Sequence, residues 1–177
     1  LIDGNNDRVL NNQLITILDG VIDNITYQNP NQKLNKNTLN LSDYYCLPGL
    51  IDTHTHITEK AGDTADLSVY FTMTREEARK ISEKNALTTL NAGFTSVRNV
   101  GSYIAWSARD LRDRINQGYV TGPRIQTAGF YLTVPGGGGD LLLPDYPEEK
   151  IPPYLREGVS KNAQEFRENA EKAVEGG

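Results

Sequence analysis

The sequence predicts an α/β fold in two parts: a short all-β region over residues 1–47, then strands alternating with helices over residues 48–177. Three observations support this prediction. A hairpin signal lies early in the chain, a strand–helix order repeats three times after Pro48, and capping or glycine signals mark the helix ends. Strands that alternate with helices are typical of a parallel sheet built from βα units.

The composition is that of an ordinary globular protein, with 37% apolar and 23% charged residues and a net charge of −5. No run of Lys or Arg indicates a nucleic-acid groove, and no apolar stretch approaches the length of a membrane span, so we expect neither partner. The single cysteine, Cys46, excludes an internal disulfide and favours a reducing, cytoplasmic location. We expect its thiol to fill a small buried apolar site.

Residues 1–47 carry the signals of a small all-β domain or part of one. Two apolar runs, Leu14–Leu18 and Val21–Tyr27, flank Asp19-Gly20, and Asp-Gly between apolar runs is a strong hairpin signal. The polar, Asn-rich stretch at 29–43 predicts a surface loop. We expect this region to be scaffold without chemistry.

From Pro48 onward, three predicted strands at 49–56, 94–100 and 123–133 are each followed by a predicted helix. The first helix begins with a capping box formed by Thr74 and Glu77 and ends at Gly93, and the second spans 107–118. The third begins at Ser160, after a Gly/Pro-rich loop that starts at Val134. A closed (β/α)8 barrel takes roughly 250 residues. Since the sequence begins without Met and ends directly after a helix, we expect it to be the N-terminal part of such a barrel.

The chain's two histidines lie together in "HTH", at the end of the first of these predicted strands. Because side chains alternate along a strand, His54 and His56 point the same way, with Asp52 one step deeper on the same face. Two imidazoles so placed can reach one divalent ion, and barrel active sites gather at the carboxyl ends of strands. We therefore predict that His54 and His56 bind a metal; a chance pair of exposed or packed histidines is the alternative. Asp52 and the neighbouring threonines are the expected hydrogen-bond partners of the rings.

The segment "LPGLIDTHTH" resembles the Pro-Gly-(Phe/Leu)-Ile-Asp-x-His-x-His signature of the metal-dependent amidohydrolase superfamily. Downstream, "NALTTLNAGFTSVRNVG" and "GPRIQTAGFYLT" resemble the first helix and the next two strands of its imidazolonepropionase-like and prolidase-like branch. "ITILDGVIDNI" is similar to the small β-sandwich-type domain that precedes the barrel. The resemblance covers nearly the whole chain. It implies an α/β fold that is the N-terminal part of a (β/α)8 TIM barrel, with this small domain before it.

The resemblance also implies an activity: metal-activated water cleaves an amide or related C–N bond of a dipeptide, an N-acyl amino acid or a cyclic amide. In the family pattern, the paired histidines bind one metal, while a carboxylated lysine, further histidines and an aspartate come from strands 4 to 8. The implied cofactor is one or two divalent ions per full-length subunit, with Zn²⁺ as the default and Mn²⁺, Fe²⁺ or Co²⁺ fitting the same ligands. No catalytic acid or base is assigned within these residues.

The chain departs from the family pattern at two places. Asn99 stands where many relatives have Asp, and "VPGGGGD" at 134–140 stands where several have Gly-Gly-His-Gly. Consecutive glycines let backbone approach a ligand, so Gly137 and Gly138 are candidate substrate-binding residues, with a flexible lid or turn as an equal alternative. Arg98 and Tyr131, near strand ends, are further candidates. A structural ion pair and simple packing are their respective alternatives.

Two other functional hypotheses come from different classes of protein. The first is a non-catalytic amidohydrolase-like scaffold, which replacement of the later ligands would favour. The second is an independent metal-binding protein, against which the open three-stranded parallel sheet argues, because it would expose an edge and an apolar face. The expected partners are a small-molecule or dipeptide substrate and either a second copy of the chain or the remainder of the barrel.

Overall fold

The computed structural model describes residues 1–60 and 66–177, and its contacts divide the chain into two compact units, Leu1–Gly49 and Leu50–Gly177. In the first unit, strands β1 (Gln13–Leu18) and β2 (Val21–Tyr27) pair antiparallel. Asp19 and Gly20 between them have φ of 50° and 78°, the two positive values that a tight type I′ hairpin turn requires. The predicted hairpin is confirmed. A sandwich of two sheets stays a prediction, since the described part of this unit contains one two-stranded sheet.

The Asn-rich stretch after β2 contains neither strand nor helix, as predicted, and most of its residues are exposed. Cys46 lies in this irregular segment, where its carbonyl accepts a hydrogen bond from the Ile2 N–H at 2.8 Å. Its side chain is exposed. The prediction of a buried thiol is therefore wrong. Cys46 lies in a segment without helix or strand, so no regular element packs over its side chain.

The second unit is built on a parallel sheet in the order β3-β4-β5, comprising β3 (Leu50–Thr55), β4 (Phe94–Asn99) and β5 (Arg124–Thr127). A short helix α1 (Val69–Thr72) and a long helix α2 (Arg75–Asn91) connect the first two strands, and α3 (Ser107–Asn116) connects the next two. This is a TIM-barrel-related α/β arrangement. Its core contains buried residues from the sheet, from the turn after β3 and from both longer helices: Ile57, Ala86, Val97, Leu111 and Ile125. Among residues 1–60 and 66–177, no helix is long and apolar enough to span a membrane.

The predicted start of α2 is confirmed, whereas three later elements, α3, β5 and α4, differ from their predicted bounds; α3 ends at Asn116 rather than at 118. At the start of α2, the Thr74 hydroxyl accepts the Glu77 N–H at 3.2 Å while the Glu77 carboxylate accepts the Thr74 N–H at 2.8 Å, which is the predicted capping box. The last helix, α4 (Ala163–Glu175), starts three residues after Ser160 because Asn162 caps its first turn. Strand β5 ends at Thr127 rather than 133, so Tyr131 lies beyond the strand.

The Gly/Pro-rich segment at 134–158 is fixed by packing and by an ion pair. It contributes to a second apolar cluster, formed by Tyr70, Leu141, Ile151 and Leu155, and it contains two short 3-10 helices, Glu148–Lys150 and Pro153–Leu155. The Asp140 side chain is fully buried and accepts two hydrogen bonds from the Arg156 guanidinium, at 2.6 and 2.9 Å. Asp140 also accepts the Gly136 N–H at 3.0 Å, which ties the glycine run to this ion pair.

Candidate metal centre

The carboxyl ends of the three parallel strands meet at one edge of the sheet, and each strand contributes a group to this edge. His54 lies in β3 and His56 directly follows it. Asn99 is the last residue of β4, Gly101 follows two residues later, and Tyr131 lies four residues after β5. Active sites of α/β barrels form at this edge, so the fold places the predicted histidines where chemistry is expected.

The His54 and His56 rings lie side by side, with centroids 5.5 Å apart and planes at 79° to one another. Both residues are exposed. Imidazole is a preferred ligand for Zn²⁺ and similar ions, which it binds at about 2.0–2.1 Å through a ring nitrogen. The spacing of the rings fits two nitrogens that approach one ion.

The contacts to His56 come from distant parts of the chain. Its Nδ1 atom lies 2.7 Å from the Tyr131 hydroxyl oxygen and 3.3 Å from the Gly101 carbonyl oxygen. The expected neighbours do something else: the Asp52 carboxylate accepts the backbone N–H of His54 at 3.0 Å, and the Thr55 hydroxyl donates to the Arg98 carbonyl. The prediction that Asp52 and Thr55 bind the rings is therefore wrong, because their short side chains bond to backbone groups instead; for Thr53 it stays a prediction.

The Tyr131 hydroxyl links His56 to a carboxylate. It donates to Oε1 of Glu59 at 3.0 Å, and the same oxygen accepts the backbone N–H of Tyr103 at 3.1 Å. Burial, and next the negative charge of Glu59, raise the pKa of the Tyr131 hydroxyl above its usual value. Tyr131 therefore stays neutral and keeps its proton available for donation.

Glu59 is positioned by a turn that helix α2 holds in place. The Glu59 N–H donates to the His56 carbonyl at 3.0 Å and closes this turn. The side-chain amide of Asn85, in α2, donates to the carbonyls of Ile57 and Glu59 at 3.0 and 2.8 Å. The end of β3 is thus fixed by a polar side chain of the helix that follows it.

Asn99 is fully buried, and each polar group of its side chain has a partner. Its Oδ1 accepts the Ile57 N–H at 2.8 Å, while its Nδ2 donates to the Gly101 carbonyl at 2.8 Å and to the Ser102 hydroxyl at 3.1 Å. An amide is needed here because Ile57 presents only a donor and Gly101 only an acceptor.

Two glycines pack against Tyr131. A Cβ atom at Gly101 or at Gly139 would overlap the Tyr131 side chain, so both positions require the absence of a side chain. The Tyr131 ring also contacts the Tyr103 ring, with centroids 4.8 Å apart. The hydroxyl that reaches His56 is therefore carried by a ring with little room to move.

The other predicted site residues are not brought to the histidines by any described contact. Arg98 is exposed near the end of β4, and within residues 1–60 and 66–177 it has no ion pair. Gly137 is half-buried, donates to the Val134 carbonyl at 2.9 Å, and has no room for a Cβ beside the Thr133 hydroxyl. Gly138 is exposed with open space around it. A role for these residues in substrate binding stays a prediction.

The donor set fits a divalent cation in chemistry but is incomplete. His54 and His56 supply two imidazoles, whereas a catalytic zinc commonly takes three protein ligands. The described residues contain no cluster of three or more His, Cys, Asp or Glu side chains that could hold a metal ion. Glu59, Gly101 and Gly139 were not predicted from the sequence. Only its position three residues after His56 could have pointed to Glu59 as a site residue.

Comparison with known proteins shows a clear family likeness. The model of the amidohydrolase family matches residues 45–177. A search of curated protein sequences finds no match.

Solved structures give the same result for the fold. A Xaa-Pro dipeptidase with methionine bound in its active site is 29% identical, with a TM-score of 0.78, covering 99% of this chain and 43% of the dipeptidase. A prolidase in complex with N-methylphosphonate-L-proline is 27% identical, with a TM-score of 0.54, covering 73% of this chain and 31% of the prolidase. Molinate hydrolase, 22% identical with a TM-score of 0.74, shares the fold over 99% of this chain and 41% of its own length. The chain thus spans less than half the length of each of these structures.

Proposed function

The chain belongs to the amidohydrolase family, in its prolidase-like branch, and from this premise we propose that the full-length protein containing it is a metal-dependent hydrolase of amide C–N bonds. The observation that carries the proposal is the pair of adjacent imidazoles, His54 and His56, at the carboxyl end of β3. Both rings are exposed, and the contacts of His56 are made through Nδ1, which leaves Nε2 for a ligand bond.

The proposed substrate is a dipeptide, within the wider class of dipeptides, N-acyl amino acids and cyclic amides. Support comes from the likeness to a Xaa-Pro dipeptidase and a prolidase, at 29% and 27% identity. Because the chain spans 43% of the dipeptidase, the activity is proposed for the whole protein and not for these residues alone. The single, exposed Cys46 is consistent with the cytoplasmic location that we propose.

We assign one task to the histidine pair, one to Arg98 and one to the glycine run. His54 and His56 hold one divalent cation, with Zn²⁺ as the default ion. When bound, such a cation supplies Lewis acidity that polarises a carbonyl and lowers the pKa of water. Arg98, exposed at the end of β4, offers a planar guanidinium to the carboxylate of a dipeptide. In the glycine run at 136–139, the Gly136 and Gly137 N–H groups already donate within the chain, so Gly138, which has open space around it, is the residue of the run that offers its backbone N–H to a ligand.

Metal removal tests the proposal on the full-length protein. We expect the purified protein to contain at least one divalent ion per subunit and to hydrolyse a Xaa-Pro dipeptide or another member of the substrate class. Chelation should lower the rate at least a hundredfold, and Zn²⁺ or Mn²⁺ should restore it, because the proposed chemistry depends on the cation. Metal content by elemental analysis and hydrolysis by released amine are the measurements.

A protein treated with chelator and then dialysed against the metal ion is the control for damage by the treatment. An activity that survives complete metal removal would contradict the proposal. So would a metal-loaded protein that hydrolyses none of the three substrate classes.

A further inference from the structure

We propose that Tyr131 and Glu59 are positioning residues that fix the protonated nitrogen of His56, and so leave Nε2 of that ring as the metal-binding atom. This inference rests on the proposed function, since it concerns how the chain prepares one ligand. Its test includes a measurement on the metal-free protein. Failure of the inference can therefore be distinguished from failure of the function.

The hydrogen bonds from Glu59 through Tyr131 to His56 determine where each proton lies. The Glu59 carboxylate can only accept, and it lies 3.0 Å from the Tyr131 hydroxyl, so the single hydroxyl proton is directed to Glu59. The Tyr131 oxygen then faces His56 Nδ1 at 2.7 Å with its lone pairs. An oxygen in this state is an acceptor, so Nδ1 must carry a hydrogen.

The Gly101 carbonyl independently requires a hydrogen on Nδ1 of His56. The Gly101 carbonyl lies 3.3 Å from His56 Nδ1, and a carbonyl oxygen has no proton to give. Gly101 is held from the other side by the Asn99 amide at 2.8 Å. Two acceptors from different strand ends therefore converge on Nδ1. In the neutral ring, the remaining lone pair is on Nε2.

Close packing and hydrogen bonding hold Tyr131 and Glu59 in place. The Tyr131 ring packs against Gly101 and Gly139, which leave no space for side chains, and Glu59 is anchored by the backbone N–H of Tyr103 at 3.1 Å. Partners that hold the second nitrogen of a metal-binding histidine fix both the tautomer and the ring orientation, and losing one costs roughly 10- to 100-fold in metal affinity. The Tyr131 hydroxyl thereby connects the His56 ring to the Glu59 carboxylate.

The test compares Tyr131→Phe with the wild type in the full-length protein. Phenylalanine keeps the ring packing and removes only the hydroxyl. We expect the Zn²⁺ affinity, measured by competition with a chromogenic chelator, to fall roughly 10- to 100-fold. In the metal-free protein, the ¹⁵N signals of His56, assigned with a His56→Asn variant, should show mainly Nδ1–H in the wild type and a smaller Nδ1–H fraction in Tyr131→Phe.

Two further variants complete the design. Tyr119→Phe, at a tyrosine that is 74% exposed, is the matched control and should leave both measurements unchanged. Glu59→Gln should act in the direction of Tyr131→Phe, because a glutamine N–H can donate to the Tyr131 oxygen and turn the tyrosine proton towards His56. The inference is overturned if wild-type His56 is mainly protonated at Nε2. It is equally overturned if Tyr131→Phe leaves the Zn²⁺ affinity within twofold of the wild type.

Discussion

Replacing either His54 or His56 with asparagine is expected to lower amide hydrolysis by the full-length protein by more than a hundredfold, with loss of bound metal. Partners of a metal ligand are worth roughly 10- to 100-fold in affinity or activity, so removal of the ligand itself should cost more. Both histidines are exposed, and neither belongs to the apolar clusters of the second unit. The fold should therefore survive the change. Steady-state hydrolysis and metal content per subunit are the two measurements.

Metal-free wild-type protein is the matched reference for the histidine variants. Each variant should melt at the temperature of that reference, which would show that the loss of activity comes from the missing metal and not from unfolding. Full activity in either variant would contradict the assignment of the ligands. Metal retained at the wild-type level in both variants would place the ion elsewhere.

Changing Asn99 to aspartate is expected to destabilise the protein by about 3–5 kcal/mol at neutral pH, the usual cost of a buried charge that has no opposite charge beside it. The new carboxylate would meet the Ile57 N–H on one side, but on the other it would face the Gly101 carbonyl, which now receives the amide at 2.8 Å. Two acceptors at that separation repel one another. Chemical denaturation of the full-length protein gives the free energy of unfolding.

The pH dependence of this effect identifies its cause. Burial beside a carbonyl raises the folded-state pKa of such a carboxyl above its unfolded value of about 3.9. Its destabilisation is therefore absent below the unfolded pKa and grows as the pH rises towards the folded pKa. The gap between Asn99→Asp and the wild type should narrow near pH 4. Asn37→Asp, the same change at an exposed residue, should stay within about 0.5 kcal/mol of the wild type. Equal stability of Asn99→Asp and the wild type at neutral pH would contradict the role that we give to the hydrogen bonds of the Asn99 amide.

Features controlled by neighbouring residues were predictable from the sequence. The hairpin at Asp19-Gly20 follows from the positive φ values that its turn requires, and the start of α2 follows from side-chain caps three residues apart. The parallel sheet followed from the repeated strand–helix order. Each of these signals depends on residues that are close together in the sequence, so it can be recognised without knowing the tertiary structure.

Features controlled by tertiary contacts were not predictable. Tyr131 reaches His56 across 75 residues, and no spacing rule connects the two positions. Strand β5 ends at Thr127, and Thr133 forms an isolated bridge with Val159 instead of belonging to the sheet. The start of α4 depended on which of two nearby polar residues, Ser160 or Asn162, caps it, and Asn162 does so. The histidine pair and Tyr131 were visible in the sequence as candidate site residues, whereas the contact between His56 and Tyr131 and the parts played by Glu59, Gly101 and Gly139 were not.

Asn99 and the glycine run are each part of a network of contacts that reaches beyond their own segment of the chain. The Asn99 amide supports the Gly101 carbonyl beside His56, and the buried Asp140–Arg156 ion pair holds the glycine run through the Gly136 N–H. Glycine is required in the run at Gly137 and Gly139 by close packing, while Gly138 alone of these three faces open space.

Anomalous diffraction at the zinc edge, from crystals of the full-length protein grown with Zn²⁺, tests directly whether His54 and His56 bind a metal ion. We expect an anomalous peak bonded to Nε2 of His56 and to a ring nitrogen of His54, at about 2.0–2.1 Å. Tyr131 should remain hydrogen-bonded to Nδ1 of His56. A map with no peak at these rings would contradict the claim. So would an ion bonded to Nδ1 of His56 with the Tyr131 hydroxyl displaced.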